Sequence, residues 1–298
     1  MTGGSTIPGH QIDAKLCRHG AHAHVKRLST AATSTFRRTG NAQAICESLD
    51  GPLAFKAEQL VEAEVQPHDV VVDVHSAGIN FKDILQCAGR YQQKLEPPFV
   101  PGSEAAGTVV AVGSSVNGLD VGDEVVSMAP QAFQKYHVAS QDLVFKIPDS
   151  ADSKRSTAER FDEAAAILCT HGTAYLALTD RTQLQPGEHV LVTAAGGGVG
   201  LGAVALAKHM GAKVIAAASS NEKLDLAKRH GADYTIDYTK TDLRKECDLI
   251  TGKQGVDVAI DMCGGEVFKG AFKSLGWGGR LCVIGFASGD IPTVNAGA

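Results

Sequence analysis

Two hydrophobic rhythms divide the chain. From Ala44 to about Ser150, short apolar runs of strand length (Val70–Val74, Gly107–Val112, Asp123–Ser127) are cut by turn signals at Pro67-His68-Asp69, Gly113-Ser114-Ser115 and Gly118-Leu119-Asp120. That spacing predicts a β-rich domain. A short helix is expected after Asn80, which makes a capping pair with Asp83 three residues on. Residues 151–160 are polar and without apolar periodicity, and a domain junction is expected there. Beyond it, apolar strands at 189–195, 213–218, 233–237, 256–261 and 280–286 alternate with helical stretches near 199–210, 221–230, 240–251 and 266–274. Strict alternation implies parallel strands with crossover helices, the doubly wound α/β architecture. Only a short tail follows the fifth strand, so the sheet is expected to be truncated, without a sixth strand.

Composition changes this picture little. The 298 residues are 44% apolar and 20% charged with a net charge of -5, an ordinary globular balance with no basic stripe in the folded body to suit a nucleic acid. Val190–Ala207 carries no formal charge, but its Ala194-Ala195-Gly196-Gly197-Gly198-Val199-Gly200 centre suits a strand, turn and helix rather than a membrane span, and no membrane association is expected. The seven cysteines are scattered, with no C-x-x-C pair, which favours a reducing compartment over a disulfide framework. Residues 1–38 hold Lys15, Arg18, Lys26, Arg27, Arg37 and Arg38 against the single acid Asp13. Two readings stand for residues 1–40: a mitochondrial targeting segment or a disordered tail. His22 and His24 there read as solvated rather than as metal ligands.

The chemistry concentrates after the predicted strand at 189–195. Ala195-x-Gly197-x-x-Gly200 follows a strand and opens a helix, the context a dinucleotide loop requires. Gly197 lets the backbone approach a pyrophosphate, Gly200 allows the helix to pack on the strand, and free amides at the helix start favour an anion. The second strand ends in Ala218-Ser219-Ser220-Asn221 without the acid that would select NAD. Ser219, Lys223 one helical turn on and Tyr238 at the end of the third strand form a candidate site for the 2'-phosphate of NADPH. Taken singly, Lys223 also reads as a solvated helix lysine and Tyr238 as a strand-end aromatic.

Five runs carry a resemblance: Ala77-Gly78-Ile79-Asn80-Phe81-Lys82-Asp83, Pro101-Gly102-Ser103-Glu104-Ala105-Ala106-Gly107, Gly122-Asp123-Glu124-Val125, Gly172-Thr173-Ala174-Tyr175 and the Val192–Gly200 loop. Residues 44–295 resemble the zinc-independent quinone oxidoreductases of the medium-chain dehydrogenase/reductase superfamily, and the closing run Asp257–Phe268 resembles the quinone oxidoreductase-like protein 2 branch. The resemblance implies a GroES-like catalytic domain over 41–155, a Rossmann NADPH-binding domain over 156–298, and an active site in the cleft between them. It implies that Asn80 and Tyr91 line the substrate pocket, Asn80 as a donor to the acceptor oxygen and Tyr91 as a proton or hydrogen-bond donor. A helix cap and a loop aromatic are the other readings of this pair. Thr173 is implied to lie against the nicotinamide, and Gly198, Val199, Gly285 and Phe286 to complete the cofactor contacts. Zinc-dependent relatives carry cysteine and histidine where this chain has Asn80 and Ser103, leaving Cys169 alone near the third ligand position, so no metal is expected. Leu85 stands where many relatives have a second pocket tyrosine.

The expected function is NADPH-dependent reduction of a small quinone or conjugated enone. An enoyl-thioester reductase and an NADPH-binding protein without turnover are the alternatives. The family further implies a homodimer for a full-length chain, and the missing portion would deprive the site of part of its wall.

Overall fold

Fourteen strands and seven helices build two five-stranded sheets and two short hairpin-like pairs in the computed structural model, which describes residues 34–38, 41–58, 61–148 and 155–294. Strand β1 (Ser34–Arg38) pairs antiparallel with β4 (Val61–Val65), and β2 (Asn41–Ile45) with β3 (Ala54–Glu58). Most of the segment read as targeting or disordered lies outside the described residues. At residues 34–38 the disordered alternative is corrected: they are strand, because Phe36 turns inward and packs edge-on against Tyr136 at 5.4 Å between ring centroids.

The antiparallel sheet has the order β8-β5-β6-β7-β9, from β5 (Asp69–Gly78), β6 (Glu104–Val112), β7 (Glu124–Ser127), β8 (Tyr136–Ser140) and β9 (Val144–Lys146). Val70, Val72, Val109 and Val125 are wholly buried on one of its faces. Helix α1 (Phe81–Cys87) leaves the end of β5, and the Asp83 carboxylate accepts from the Asn80 amide at 2.8 Å, closing its first turn.

Helix α2 (Thr157–Ala164) starts inside the stretch read as an unstructured junction. Its start is marked by a capping box, with Ser156 Oγ accepting from Glu159 N and Ser156 N donating to Glu159 Oε2. Phe161, Ala164 and Ala165 pack with Ala106 and Val126 of the antiparallel sheet, whereas α3 (Thr170–Leu176) lies along α4 (Gly198–His209). The chain therefore passes from one core to the other at residues 165–169, one helix later than expected.

The second sheet is fully parallel, ordered β12-β11-β10-β13-β14, from β10 (His189–Val192), β11 (Lys213–Ala218), β12 (Tyr234–Asp237), β13 (Val256–Asp261) and β14 (Leu275–Val283). Helices α5 (Asn221–Arg229), α6 (Leu243–Ile250) and α7 (Gly265–Lys273) make the crossovers with α4. Both faces are covered, with Val190 and Val192 in one apolar core and Leu191 in the other. Two boundaries differ from expectation for local reasons. Helix α6 starts late because Asp242 caps it, accepting from Lys245 N at 3.1 Å. Strand β14 starts at Leu275 and runs through an irregularity in register opposite Val256 and Val258, where Gly278 takes φ 74°.

Candidate active site

The strand order reverses between β10 and β13, which places a crevice at the carboxyl ends of the parallel strands. Strand β10 ends at Val192 because Thr193 and Ala194 turn the chain, Ala194 at φ 47°. Thr193 Oγ1 donates to the buried Asp261 carboxylate at 2.6 Å, and Gly264 N donates to the other oxygen at 3.0 Å. These bonds tie the turn after β10 to the turn after β13, and Ala195 N donates to Ala217 O at 3.1 Å on the other side.

This frame holds the glycine loop in a form that fits a pyrophosphate. Gly197 caps α4 without a side chain, and among the described residues the amides of Gly198, Val199 and Gly200 have no protein acceptor. A Cβ on Gly200 would stand 2.5 Å from Ala194 O and 2.8 Å from the Ala195 Cα, so only glycine permits this helix to approach this strand. A Cβ on Gly197 would meet nothing closer than Ala194 O at 3.4 Å, which leaves that side of the loop open.

The three residues read as a phosphate site do converge. Lys223 Nζ donates to Ser219 Oγ at 3.2 Å, and Tyr238 lies within interaction range of the same serine. Burial first, then the neighbouring Cys263 thiol 3.7 Å away, pushes the Tyr238 hydroxyl up to about 12, so it stays a neutral donor. Gly196 lets Lys223 pack against the loop: an added Cβ would lie 2.5 Å from the lysine Cβ. Gly285 and Phe286 follow β14 beside the turn after β13, with Phe286 near Gly264 and Gly285 facing Met262 O. A cavity of about 900 Å³ between α6, α7 and β14 touches this crevice only through Tyr238.

Across the cleft, Glu104 organises the residues from the antiparallel sheet. It is 1% exposed, and its two oxygens accept from Asn80 Nδ2 and from Cys169 N, each at 2.8 Å. The other Asn80 proton reaches Gly78 O at 3.4 Å. Both amide protons thus have acceptors within the protein, and a donor to a ligand oxygen has to come from elsewhere. Ser103 Oγ likewise donates to the buried Asp83 carboxylate at 2.9 Å. Burial, then the charges of Glu104 and Asp83, push the Cys169 thiol up to about 11.

Helix α3 carries this side to the loop. A Cβ on Gly198 would touch Thr170 Cγ2 at 2.8 Å, and Thr173 lies one turn further on the same helix, half-buried. Leu85, on α1, and Tyr91, just after that helix, are half-buried and joined by a bond from Tyr91 N to Leu85 O of 3.1 Å. The sequence reading had no role for Glu104, although an acid opening an apolar central strand is a usable signal, because a buried carboxylate requires partners. Thr170 carried no such signal.

Residues 66–149 match the family model described as alcohol dehydrogenase GroES-like domain, and residues 198–297 that described as zinc-binding dehydrogenase. The chain is 40% identical over 296 residues to the quinone oxidoreductase-like protein 2 homolog of Nematostella vectensis, covering 97% of this chain and 77% of that one. Among solved structures it resembles the Escherichia coli quinone oxidoreductase complexed with NADPH, with TM-score 0.76, 31% identity, and 86% and 76% of the two chains covered. It also resembles the CurK enoyl reductase, with TM-score 0.74, 28% identity, and 82% and 74% covered.

Proposed function

We infer, from the premise that this chain belongs to the quinone oxidoreductase group of the medium-chain dehydrogenase/reductase superfamily, that it is an NADPH-dependent reductase of quinones or conjugated enones. The observation that carries the cofactor choice is Ser219 at the end of β11, set with Lys223 and Tyr238 where an acid would repel a 2'-phosphate. Three amides at the start of α4, unpaired among the described residues, would hold the pyrophosphate. When bound, NADPH supplies a hydride to the cleft.

The chain's own residues then orient and stabilise the acceptor. Thr173 and Thr170 wall the nicotinamide side, Leu85 and Tyr91 the substrate side, and Tyr91 offers a hydroxyl to the acceptor oxygen. Asn80 is a fixed wall element held by Glu104. The donor set supports a zinc-free cleft: Asn80 and Ser103 are bonded to buried carboxylates, and the raised Cys169 thiol resists becoming the thiolate a metal needs.

NADPH oxidation by the purified chain is measured with a panel of quinones, enones and enoyl thioesters, with and without a chelator. Turnover of quinones or enones at an unchanged rate in chelator is the expected result. Turnover of enoyl thioesters alone would favour the second reading, which the likeness to CurK supports. NADPH binding without any turnover would overturn both.

A further inference from the structure

We propose that Lys82 is a catalytic residue of this cleft, its ammonium group stabilising the oxyanion that forms on a quinone or enone when hydride reaches the conjugated system. The proposal rests on the hydride-transfer reading above. It starts from a charge without a partner. Lys82 is half-buried in the first turn of α1, and among the described residues its Nζ makes no hydrogen bond or ion pair. Other cations at the antiparallel sheet are matched, as Lys146 of β9 is with Asp123 at 2.8 Å and Arg160 of α2 with Glu124 at 2.9 Å.

Its surroundings place it where the chemistry would be. Lys82 Nζ lies over the Tyr91 ring at 5.9 Å from the centroid, and Leu85 is three residues on along the same helix face. Its charge also reaches Cys169, where it opposes the upward push of burial, Glu104 and Asp83 on the thiol. Cys169 leads directly into α3, whose Thr170 touches the glycine loop. The nearby acids do not neutralise the lysine by pairing: Asp83 is bonded to Ser103 and the Asn80 amide, and Glu104 to Asn80 and Cys169. With both Asn80 protons taken up, Lys82 and the Tyr91 hydroxyl are left to meet a developing negative charge.

The step balances. Hydride adds two electrons and one hydrogen to the acceptor carbon, the conjugated π pair moves to the carbonyl oxygen, and the oxyanion takes a proton from the Lys82 ammonium. The lysine recovers that proton from water. An ammonium held at the oxygen is the kind of preorganised charge that lowers such a barrier.

Wild type, Lys82→Met and Lys82→Arg are compared in NADPH-dependent quinone turnover and in NADPH affinity by nicotinamide fluorescence. Lys82→Met is expected to lower kcat about a hundredfold with NADPH affinity unchanged, and Lys82→Arg to recover most of the loss. A Lys82→Met kcat within about twofold of wild type would overturn the proposal. The second measurement needs no turnover: 4-nitrophenol, a stable phenol whose ionised form absorbs separately, is titrated into the NADP⁺-loaded chain. Wild type is expected to hold it as phenolate at a pH where the free phenol is neutral, and Lys82→Met to hold it neutral. If wild type turns over no acceptor, the hydride-transfer reading fails. Equal ionisation of the probe in both proteins then overturns the role of Lys82 by itself.

Discussion

Asn80 carries its amide protons to Glu104 and Gly78, so a residue placed in the pocket by motif spends its donors on holding the pocket together. Lys223 shows the reverse, a helix-surface lysine that packs against Gly196 and donates to Ser219, the placement that the proposed phosphate site requires. Lys223→Ala is expected to weaken NADPH about tenfold and leave NADH unchanged, read by fluorescence titration; equal weakening of both would remove the phosphate role. His137, on β8, has no exposure, and burial pulls its imidazole down from 6.5 to about 4 against the weaker pull of the Gln131 carbonyl. Above pH 6.5 neither the folded nor the unfolded chain protonates it, and stability is full. As pH falls towards about 4 the unfolded chain takes up a proton that the folded chain refuses, costing up to about 3 kcal/mol. Urea midpoints should therefore drop between neutral pH and about pH 5 and drop less in His137→Gln; identical slopes would place the acid sensitivity elsewhere. The convergence of Ser219, Lys223 and Tyr238 was legible because strand ends are legible. Glu104, Thr170 and His137 were not, because their importance lies in what surrounds them.

At the scale of elements, local chemistry sets most starts and stops. Ser156 with Glu159 begins α2, Asp242 begins α6, and the turn at Thr193 and Ala194 ends β10. The first of these was readable as S-x-x-E but was masked by the polar stretch around it. The β13–β14 irregularity was not readable, since glycines near Gly278 are equally compatible with a loop. Helix α4 is the element on which binding turns. Gly200→Ala would force its Cβ to 2.5 Å from Ala194 O, lifting α4 from β10. The expected cost is about 1–3 kcal/mol of stability in urea unfolding, together with weakened NADPH binding. A variant with unchanged stability and affinity would show that the helix has room to move.

Across the whole molecule, Glu104 joins the antiparallel sheet to the start of α3, and α3 lies against the nucleotide helix α4. Glu104→Gln keeps the volume, but its amide nitrogen has to face either Asn80 Nδ2 or Cys169 N, both donors. A loss of about 1–3 kcal/mol is expected, with reduced quinone turnover. Unfolding that stays as steep and as late as in wild type would show that the carboxylate does not hold the two parts together. The sequence alone determined the doubly wound architecture, the β-rich partner domain, the glycine loop and the missing acid after β11, because apolar periodicity, glycine placement and strand-end chemistry act over a few residues. Tertiary structure decided which donors are already spent, where the chain crosses between cores, and that Lys82 stands over Tyr91 with no ion-pair partner among the described residues. Those facts depend on residues such as Asn80, Glu104 and Cys169, far apart in the chain, whose burial and distances are set only when both sheets and their helices are packed.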